Sequence, residues 1–228
     1  MDNKVLGLIE LLDKLPIPMY GISDISELPE LKNKFTRAIS LAQAYSYTLD
    51  DYSSTGFNDF LLGKVKGELE QSIEIIEQFL QKENIAYRTI GNVQKDPVLS
   101  IGEFSHKYAA VKSGLGWIGK NGLLITKKYG PRVRLSTILI DLELPYNNQD
   151  EYNGCKECNA CVNICPTKCL KGTIWNSSLQ REDIIDVFNC KDKNETRKEY
   201  MCGLCLVACP IGKASSSDNK MIFTKSRD

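Results

Sequence analysis

The chain has 228 residues, of which 42% are hydrophobic and 25% are charged, so it has the composition of a globular protein with room for two modest domains. Lysine plus arginine and aspartate plus glutamate number 29 each, and this zero formal net charge excludes a general positive field that would draw the protein to nucleic acid. No apolar run approaches the length of a membrane span, so we expect a soluble protein with no membrane partner.

The chain opens with a predicted amphipathic helix, which Pro16 and Pro18 end. Its apolar residues, spaced near the helical period, are Val5, Leu8, Ile9, Leu11 and Leu12. The apolar stretch 38–42 is either a first core strand or part of a helix that continues through 43–47. Turn-forming residues predict a loop over 50–59.

The helix and strand patterns become clearer after this loop. Apolar residues with helical spacing, and charged residues on the other faces, predict a second amphipathic helix over 64–82. The elements predicted after it are a strand over 85–90, a helix over 105–113, and strands over 123–126 and 133–140. A helix followed by a strand suggests an α/β layer, so the fold class that we predict for this part is α/β (α+β).

A polar, turn-rich stretch over 144–154 is the predicted boundary between two domains. We therefore divide the chain into an α/β domain over 1–145, a cysteine-rich domain over 146–212, and a tail of small polar residues, predicted to be disordered, over 213–228.

Two cysteine runs organise the second domain. The first reads C-x2-C-x2-C-x3-C-P and ends at Pro166, and this is the spacing of bacterial ferredoxins. The second reads C-x2-C-x3-C-P and ends at Pro210. The two runs together predict a dicluster ferredoxin-like domain with two [4Fe-4S] clusters.

The spacing also divides eight of the nine cysteines between the clusters. Three closely spaced thiolates hold one face of a cubane, and the fourth, before proline, crosses to the other cluster. The ligands predicted for the first cluster are Cys155, Cys158, Cys161 and Cys209. Those predicted for the second are Cys165, Cys202, Cys205 and the isolated Cys190. Cys169 is left over, and we expect it to be a small buried residue.

Zinc and disulfides are the competing interpretations of these cysteines. Zinc sites usually pair C-x2-C knuckles or include histidine, whereas here three cysteines crowd into each run and the chain has one histidine. Disulfides need an oxidising compartment, but residues 1–10 include acidic side chains and lack the basic segment of a signal peptide. We therefore predict iron–sulfur clusters in a cytoplasmic protein.

A second segment of interest, 114–121, reads G-L-G-W-I-G-K-N. Glycines let the main chain approach a ligand, and their amides can donate hydrogen bonds to it. A dinucleotide fingerprint follows a strand and opens a helix, but this segment ends a helix and leads into a strand. Spacing alone therefore favours a structural turn over a ligand loop.

The sequence H-K-Y-A-A-V-K-S-G-L-G-W-I-G-K-N-G-L-L-I-T from His106 to Thr126, with Y-G-P-R-V-R at Tyr129 to Arg134 and the cysteines with C-P-T, resembles the epoxyqueuosine reductase family. These are cobalamin-dependent iron–sulfur enzymes whose core is similar to that of reductive dehalogenases. The resemblance covers roughly 38–212 and implies that the first domain is corrinoid-binding-like. The residues that it implies lie against the corrinoid are Gly114, Leu115, Gly116, Trp117, Ile118, Gly119, Lys120 and Asn121.

The resemblance further implies that the clusters pass electrons from an external flavodoxin or ferredoxin to a base-off corrinoid, which reduces a small-molecule or nucleoside substrate. Full-length members continue into a helical-repeat region that helps bind tRNA, and this chain stops soon after Cys209. We therefore expect a short form for which tRNA is disfavoured. A basic cluster, expected to be a solvated face, comprises Lys127, Lys128, Arg132 and Arg134.

The residue that supplies protons is open. Family members use an aspartate where this chain has Ser100, and the nearest acids are Asp96 and Glu103, for which ordinary surface roles are the alternative. His106 and Tyr108 are further candidates, with structural roles as alternatives. The expected function is a cobalamin-dependent iron–sulfur reductase; the alternative is a dicluster electron-transfer protein without corrinoid catalysis.

Overall fold

The computed structural model describes residues 2–28, 34–45, 64–91, 94–96, 101–102, 104–146, 152–190 and 202–213. The predicted loop over 50–59, Ser100, Glu103 and nearly all of the predicted tail lie outside these residues, as does part of the predicted boundary. None of the described helices combines the length and the apolar character needed to cross a bilayer.

A four-stranded antiparallel sheet with the order β1-β2-β8-β3 is the framework of the first domain. Its strands are β1 Met19–Asp24, β2 Arg37–Ala44, β3 Tyr87–Thr89 and β8 Val133–Ile140. Two short antiparallel pairs lie outside it, formed by β4 Gln94–Asp96 with β5 Ile101–Gly102 and by β6 Trp117–Ile118 with β7 Leu124–Ile125. The apolar stretch over 38–42 is therefore a strand, and β1 is a strand that the sequence did not predict.

Alternating side chains of β2 and β8 build the core on both faces of this sheet. Ile39 and Ile138 face each other across the two strands and pack with the helices α1 (Asn3–Lys14) and α2 (Lys64–Lys82). Burying one such side chain contributes about 1.5–3 kcal/mol. The bounds of α2 confirm the helix predicted over 64–82.

The helix α3 (His106–Lys112) covers the opposite face, where Ala109 packs with Ala38 and Leu139. The Ser105 hydroxyl caps the helix by accepting a hydrogen bond from the Tyr108 amide. Small residues keep α3 close to the sheet, since a Cβ on Gly21 would lie 2.7 Å from the Ser113 hydroxyl. This packing fixes the point from which the glycine segment 114–121 begins.

The cysteine-rich part has little regular structure. Two of its helices, α4 (Ala160–Ile164) and α5 (Leu204–Val207), contact each other. A single turn of 3₁₀ helix lies at Arg181–Asp183, and residues 187–190 are also helical. Each short helix begins or ends beside cysteines of one run, so the contact between α4 and α5 brings the two runs together.

Candidate metal centre

Cysteines from both runs line one cleft. Cys155, Cys158 and Cys161 come from the first run and Cys209 from the second, and Lys120 lies at the same cleft. These four thiols, called here the first cysteine group, are the set that spacing assigned to the first cluster. Their role as ligands stays a prediction, but the fold brings them to one place.

The thiols of the first group are held in a partly desolvated environment. Burial and, to a lesser extent, the neighbouring Cys155 and Cys209 raise the pKa of Cys161 to about 11. Burial also raises the pKa of Cys209, whereas the backbone amide of Ile211 and the positive charge of Arg132 act in the opposite direction. Since metals bind the thiolate, cluster assembly here must displace protons.

The remaining four predicted ligands form the second cysteine group, which comprises Cys165, Cys190, Cys202 and Cys205. Burial raises the pKa of Cys205 to about 12, and the charged neighbours that add to this shift include the other three members of the group. Cys190 and Cys205 also pack in the hydrophobic cluster around Cys161. The two groups are therefore adjacent, as two clusters that exchange electrons would need to be.

The choice between zinc and a cluster stays where the cysteine spacing put it. Among the described residues, no three side chains of histidine, cysteine, aspartate or glutamate converge as they would on a single metal ion. The preference for clusters over zinc is a prediction from the cysteine spacing and from the near absence of histidine.

Cys169, the ninth cysteine, is buried, but it is not isolated. Its Sγ lies 3.4 Å from the Sγ of Cys165. Burial opposes ionisation of Cys165, yet hydrogen bonds from Thr167 and Cys169 outweigh it and lower the pKa of Cys165 to about 7. Cys169 thus contacts a predicted ligand of the second group. The four-residue spacing within C-P-T-K-C was the signal that could have indicated this contact.

The glycine segment joins the sheet domain to the cysteine loops. The Lys120 ammonium donates hydrogen bonds to the Lys156 carbonyl at 2.8 Å and to Asn159 Oδ1 at 2.9 Å. The Asn121 amide donates to the Cys205 carbonyl at 3.4 Å. Both side chains are buried. The polar end of the segment therefore contacts the loops that carry both cysteine groups.

Trp117 belongs to the same contact. Its indole Nε1 donates a hydrogen bond to the Cys155 Sγ at 3.5 Å, and its ring meets Tyr152 edge to face at 5.4 Å. A Cβ on Gly154 would lie 2.6 Å from the tryptophan ring, so the loop before Cys155 lies directly on it. Trp117, which is predicted to contact the corrinoid, thus lies next to Cys155, a predicted cluster ligand.

The remaining residues of the glycine segment pack within the protein. A Cβ on Gly116 would lie 2.1 Å from the Ile125 carbonyl, and one on Gly119 would lie 2.7 Å from the Ile125 side chain. Leu115 and Ile118 pack with Leu124. Gly114 has φ of 78° and leads the chain out of α3. These contacts account for the glycines as packing requirements, and corrinoid contact by this segment stays a prediction.

Arg132 shows that the predicted basic cluster is not one solvated face. Its guanidinium is buried and donates to the carbonyls of Cys209 at 2.7 Å and Ile211 at 2.8 Å. Lys127 and Lys128 are exposed, whereas Arg134 is partly buried. The prediction was wrong for Arg132 because composition cannot tell a surface charge from one that caps buried carbonyls.

The described contacts do not bring the four proton-donor candidates together. His106 Nδ1 lies 2.9 Å from the Thr137 hydroxyl on β8, and burial lowers its pKa, with Arg134 lowering it further. The Tyr108 hydroxyl instead donates to Glu27 at 3.0 Å, on the exposed side of α3. Asp96 ends β4, and only its backbone is described. His106 and Tyr108 therefore occupy separate environments.

Curated proteins with sequences similar to this chain are epoxyqueuosine reductases. The one from Cellulophaga algicola is 28% identical over 173 residues, which are 72% of this chain and 52% of that protein. The one from Cyclobacterium marinum is 34% identical over 128 residues, 52% of this chain and 40% of that protein. These matches confirm the resemblance to the epoxyqueuosine reductase family that the motifs indicated. No family model matches it.

The match to the epoxyqueuosine reductases is partial in length. The chain spans about half of the Cellulophaga algicola protein, so the activity, substrates and partners of the whole enzymes do not pass directly to it. An epoxyqueuosine reductase crystallised with an epoxyqueuosine-modified stem loop of tyrosine tRNA has a TM-score of 0.61 and 19% identity, covering 92% of this chain and 65% of that one.

The second kind of solved structure with this fold is a reductive dehalogenase. This reductive dehalogenase is B12-dependent, and its TM-score is 0.67 at 17% identity, over 94% of this chain and 32% of that one. At such identity the likeness establishes the mixed α/β fold. Part of an epoxyqueuosine reductase and part of a reductive dehalogenase therefore share the fold of this chain.

Proposed function

We propose that this chain is an iron–sulfur reductase of the epoxyqueuosine reductase type, with two [4Fe-4S] clusters that pass electrons one at a time toward a substrate site in the first domain. The observation that carries this proposal is the cleft that gathers Cys155, Cys158 and Cys161 with Cys209 from the distant second run. The second cluster is assigned to the second cysteine group. Kinship with the epoxyqueuosine reductases supports reduction as the reaction class.

The division into domains over 1–145 and 146–212 is part of this proposal. Lys120 and Asn121 donate hydrogen bonds from the first domain to loops of the second, and Arg132 does the same at Cys209. Buried hydrogen bonds of this kind fix two bodies in one orientation. In the proposed enzyme they hold the clusters at a constant distance from the sheet domain.

Cobalamin is the further cofactor that we propose, supported by the fold shared with a B12-dependent dehalogenase. When bound, a corrinoid supplies low-potential reductive chemistry that side chains lack. The described residues give it a poorer fit than the clusters, because the glycine segment is occupied by packing and by contacts with the cysteine loops.

The proposed substrate is a small molecule or nucleoside, and the proposed electron donor is a flavodoxin or ferredoxin. Zero net charge disfavoured tRNA, but a related enzyme has been crystallised with a tRNA stem loop, which keeps a nucleic-acid substrate among the candidates. His106, Tyr108, Asp96 and Glu103 stay proposals as proton donors. Of these, His106 has the stronger case, since it lies beside the sheet in a partly buried position.

A dicluster electron carrier is the second candidate function. It is favoured by the same contacts that occupy the glycine segment, because Trp117, Lys120 and Asn121 need no corrinoid to explain them. In that case the sheet domain would serve to dock a partner protein.

Anaerobic reconstitution with iron and sulfide, followed by titration with cobalamin, tests the proposal. We expect about eight irons per chain and a base-off corrinoid spectrum at one equivalent. Eight irons per chain without a change in the corrinoid spectrum would favour the second candidate function, the electron carrier. Failure to assemble clusters would end both candidates. Cys158→Ala is expected to lose iron, and Cys169→Ala, which leaves the eight predicted ligands intact, is its matched control.

A further inference from the structure

Among the residues that the structure describes, those that contact the two cysteine groups differ in charge. Three groups of the sheet domain point at the first cysteine group or its loops: the Lys120 ammonium, the Arg132 guanidinium and the Trp117 indole N–H. Two of these carry a positive charge. The inference drawn from them rests on the proposed function, because it concerns the clusters that the thiols would hold.

Lys120 is fixed inside the first group's loop. Its side chain is 6% exposed and lines the cleft together with the four thiols. Its two acceptors, the Lys156 carbonyl and Asn159 Oδ1, are neutral, and they lie between Cys155 and Cys161 in the sequence. These bonds hold the ammonium in place without neutralising its charge.

Arg132 and Asn121 make equivalent contacts at the two groups, but with different charge. The Arg132 guanidinium donates to the carbonyl of Cys209, a member of the first group. The Asn121 amide donates to the carbonyl of Cys205, a member of the second group. Both groups thus receive a side-chain hydrogen bond at a cysteine carbonyl, but only the contact at Cys209 brings a positive charge.

A [4Fe-4S] cluster gains one negative charge when it is reduced. A fixed cation nearby stabilises the reduced form more than the oxidised form, and it does so more strongly where water is excluded. A hydrogen bond to a ligand sulfur, such as that from Trp117 to Cys155, acts in the same direction. Both effects raise the reduction potential of the cluster that they touch.

We propose that Lys120, Arg132 and Trp117 hold the cluster of the first cysteine group at a higher reduction potential than the cluster of the second. An electron shared between the two clusters therefore resides mainly on the first. These three residues are positioning residues for electron transfer, since they act through the cluster and its ligands.

An EPR-monitored redox titration of the reconstituted full chain tests this inference. Lys120→Met keeps the apolar stem and removes the charge, and we expect the ratio of reduced to oxidised first cluster at a fixed potential to fall about tenfold, which is about 59 mV for one electron. Lys120→Arg keeps the charge and is expected to restore the ratio. Cys190→Ala, which leaves the first group intact, identifies the signal of the first cluster.

Two further variants keep the test decisive. Trp117→Phe retains the ring but loses the N–H, and it is expected to shift the same cluster in the same direction by less. Lys112, on α3, forms an ion pair with Glu27. Lys112→Met removes an equal charge there and should shift the potential of neither cluster. If Lys120→Met fails to assemble the first cluster, the reduction potential of the first cluster in Trp117→Phe decides whether the inference holds.

The outcomes separate the inference from the function on which it rests. A wild-type chain that assembles no clusters would remove the proposed function. Full iron content with unchanged potentials in Lys120→Met and Trp117→Phe would overturn the inference alone. An equal shift of both clusters would also overturn it, because the asymmetry would then be absent.

Discussion

Arg132 donates a hydrogen bond of 2.7 Å to the carbonyl of Cys209, a residue 77 positions further along the chain. The same guanidinium bonds the Ile211 carbonyl at 2.8 Å. At this crossing the two backbones touch, since a Cβ on Gly212 would lie 2.1 Å from the Gly130 amide nitrogen. The turn before β8 and the end of the second cysteine run are therefore one packed unit.

Arg132→Met is expected to destabilise the chain and to weaken the first cluster. The variant leaves the Cys209 and Ile211 carbonyls without their donor, and each buried unpaired group costs about 1–3 kcal/mol. Denaturant unfolding measures the loss of stability, and iron content after gel filtration measures cluster retention. Lys127→Met, at an exposed lysine of the same turn, is the control and should change stability by less than about 0.5 kcal/mol. Equal stability of the two variants would contradict this account.

Gly116 and Gly67 provide a matched pair of glycine substitutions. Gly116→Ala puts a Cβ within 2.1 Å of the Ile125 carbonyl, so β7 must move, and we expect a clear loss of stability. Gly67→Ala lies in α2 with no atom within 4 Å of the new Cβ, and alanine there should stabilise the helix by about 0.5–1 kcal/mol. Thermal unfolding of the two variants measures the difference. A neutral Gly116→Ala would show that the segment is not tightly packed.

The elements that the sequence predicted well are those with a strong local period. The helix over 64–82 and the strand over 133–140 have the bounds that their apolar spacing indicated. β1 was missed because Met19–Asp24 is short, contains glycine and aspartate, and follows proline, so its pattern resembles a turn. It is a strand because it pairs with β2 along its whole length.

The proximity of the first four cysteines was predictable because their spacing alone defines the group, whereas their role as ligands stays a prediction. Cysteine spacing alone grouped Cys155, Cys158 and Cys161 with Cys209, and the fold gathers those four in one cleft. The roles of Lys120 and Arg132 were not predictable, because each depends on a partner that is distant in sequence. The residues next to a buried cation in the sequence do not differ in kind from those next to an exposed one.

The stability of the chain is expected to depend on pH through His106. Burial and the charge of Arg134 lower the pKa of this imidazole in the folded state, so the unfolded chain takes up a proton first as the pH falls below about 6.5. The free energy of unfolding should therefore decrease between about pH 7.5 and 5.5. His106→Gln keeps a polar group beside Thr137 but cannot titrate, and the chain has one histidine. Denaturant unfolding of both proteins at the two pH values should give a steeper pH dependence for the wild type, and parallel profiles would exclude this role.

Cys169 and Cys190 test the division of the nine cysteines. Cys190→Ala removes a predicted ligand and is expected to lower the iron content by about half, with one cluster still visible by EPR. Cys169→Ala should keep about eight irons, because Cys169 is outside both predicted ligand sets. Its Sγ nevertheless lies 3.4 Å from Cys165, so the EPR spectrum or potential of the second cluster should change while the first stays constant. Loss of a cluster from Cys169→Ala, with both retained in Cys190→Ala, would exchange the roles of the two residues.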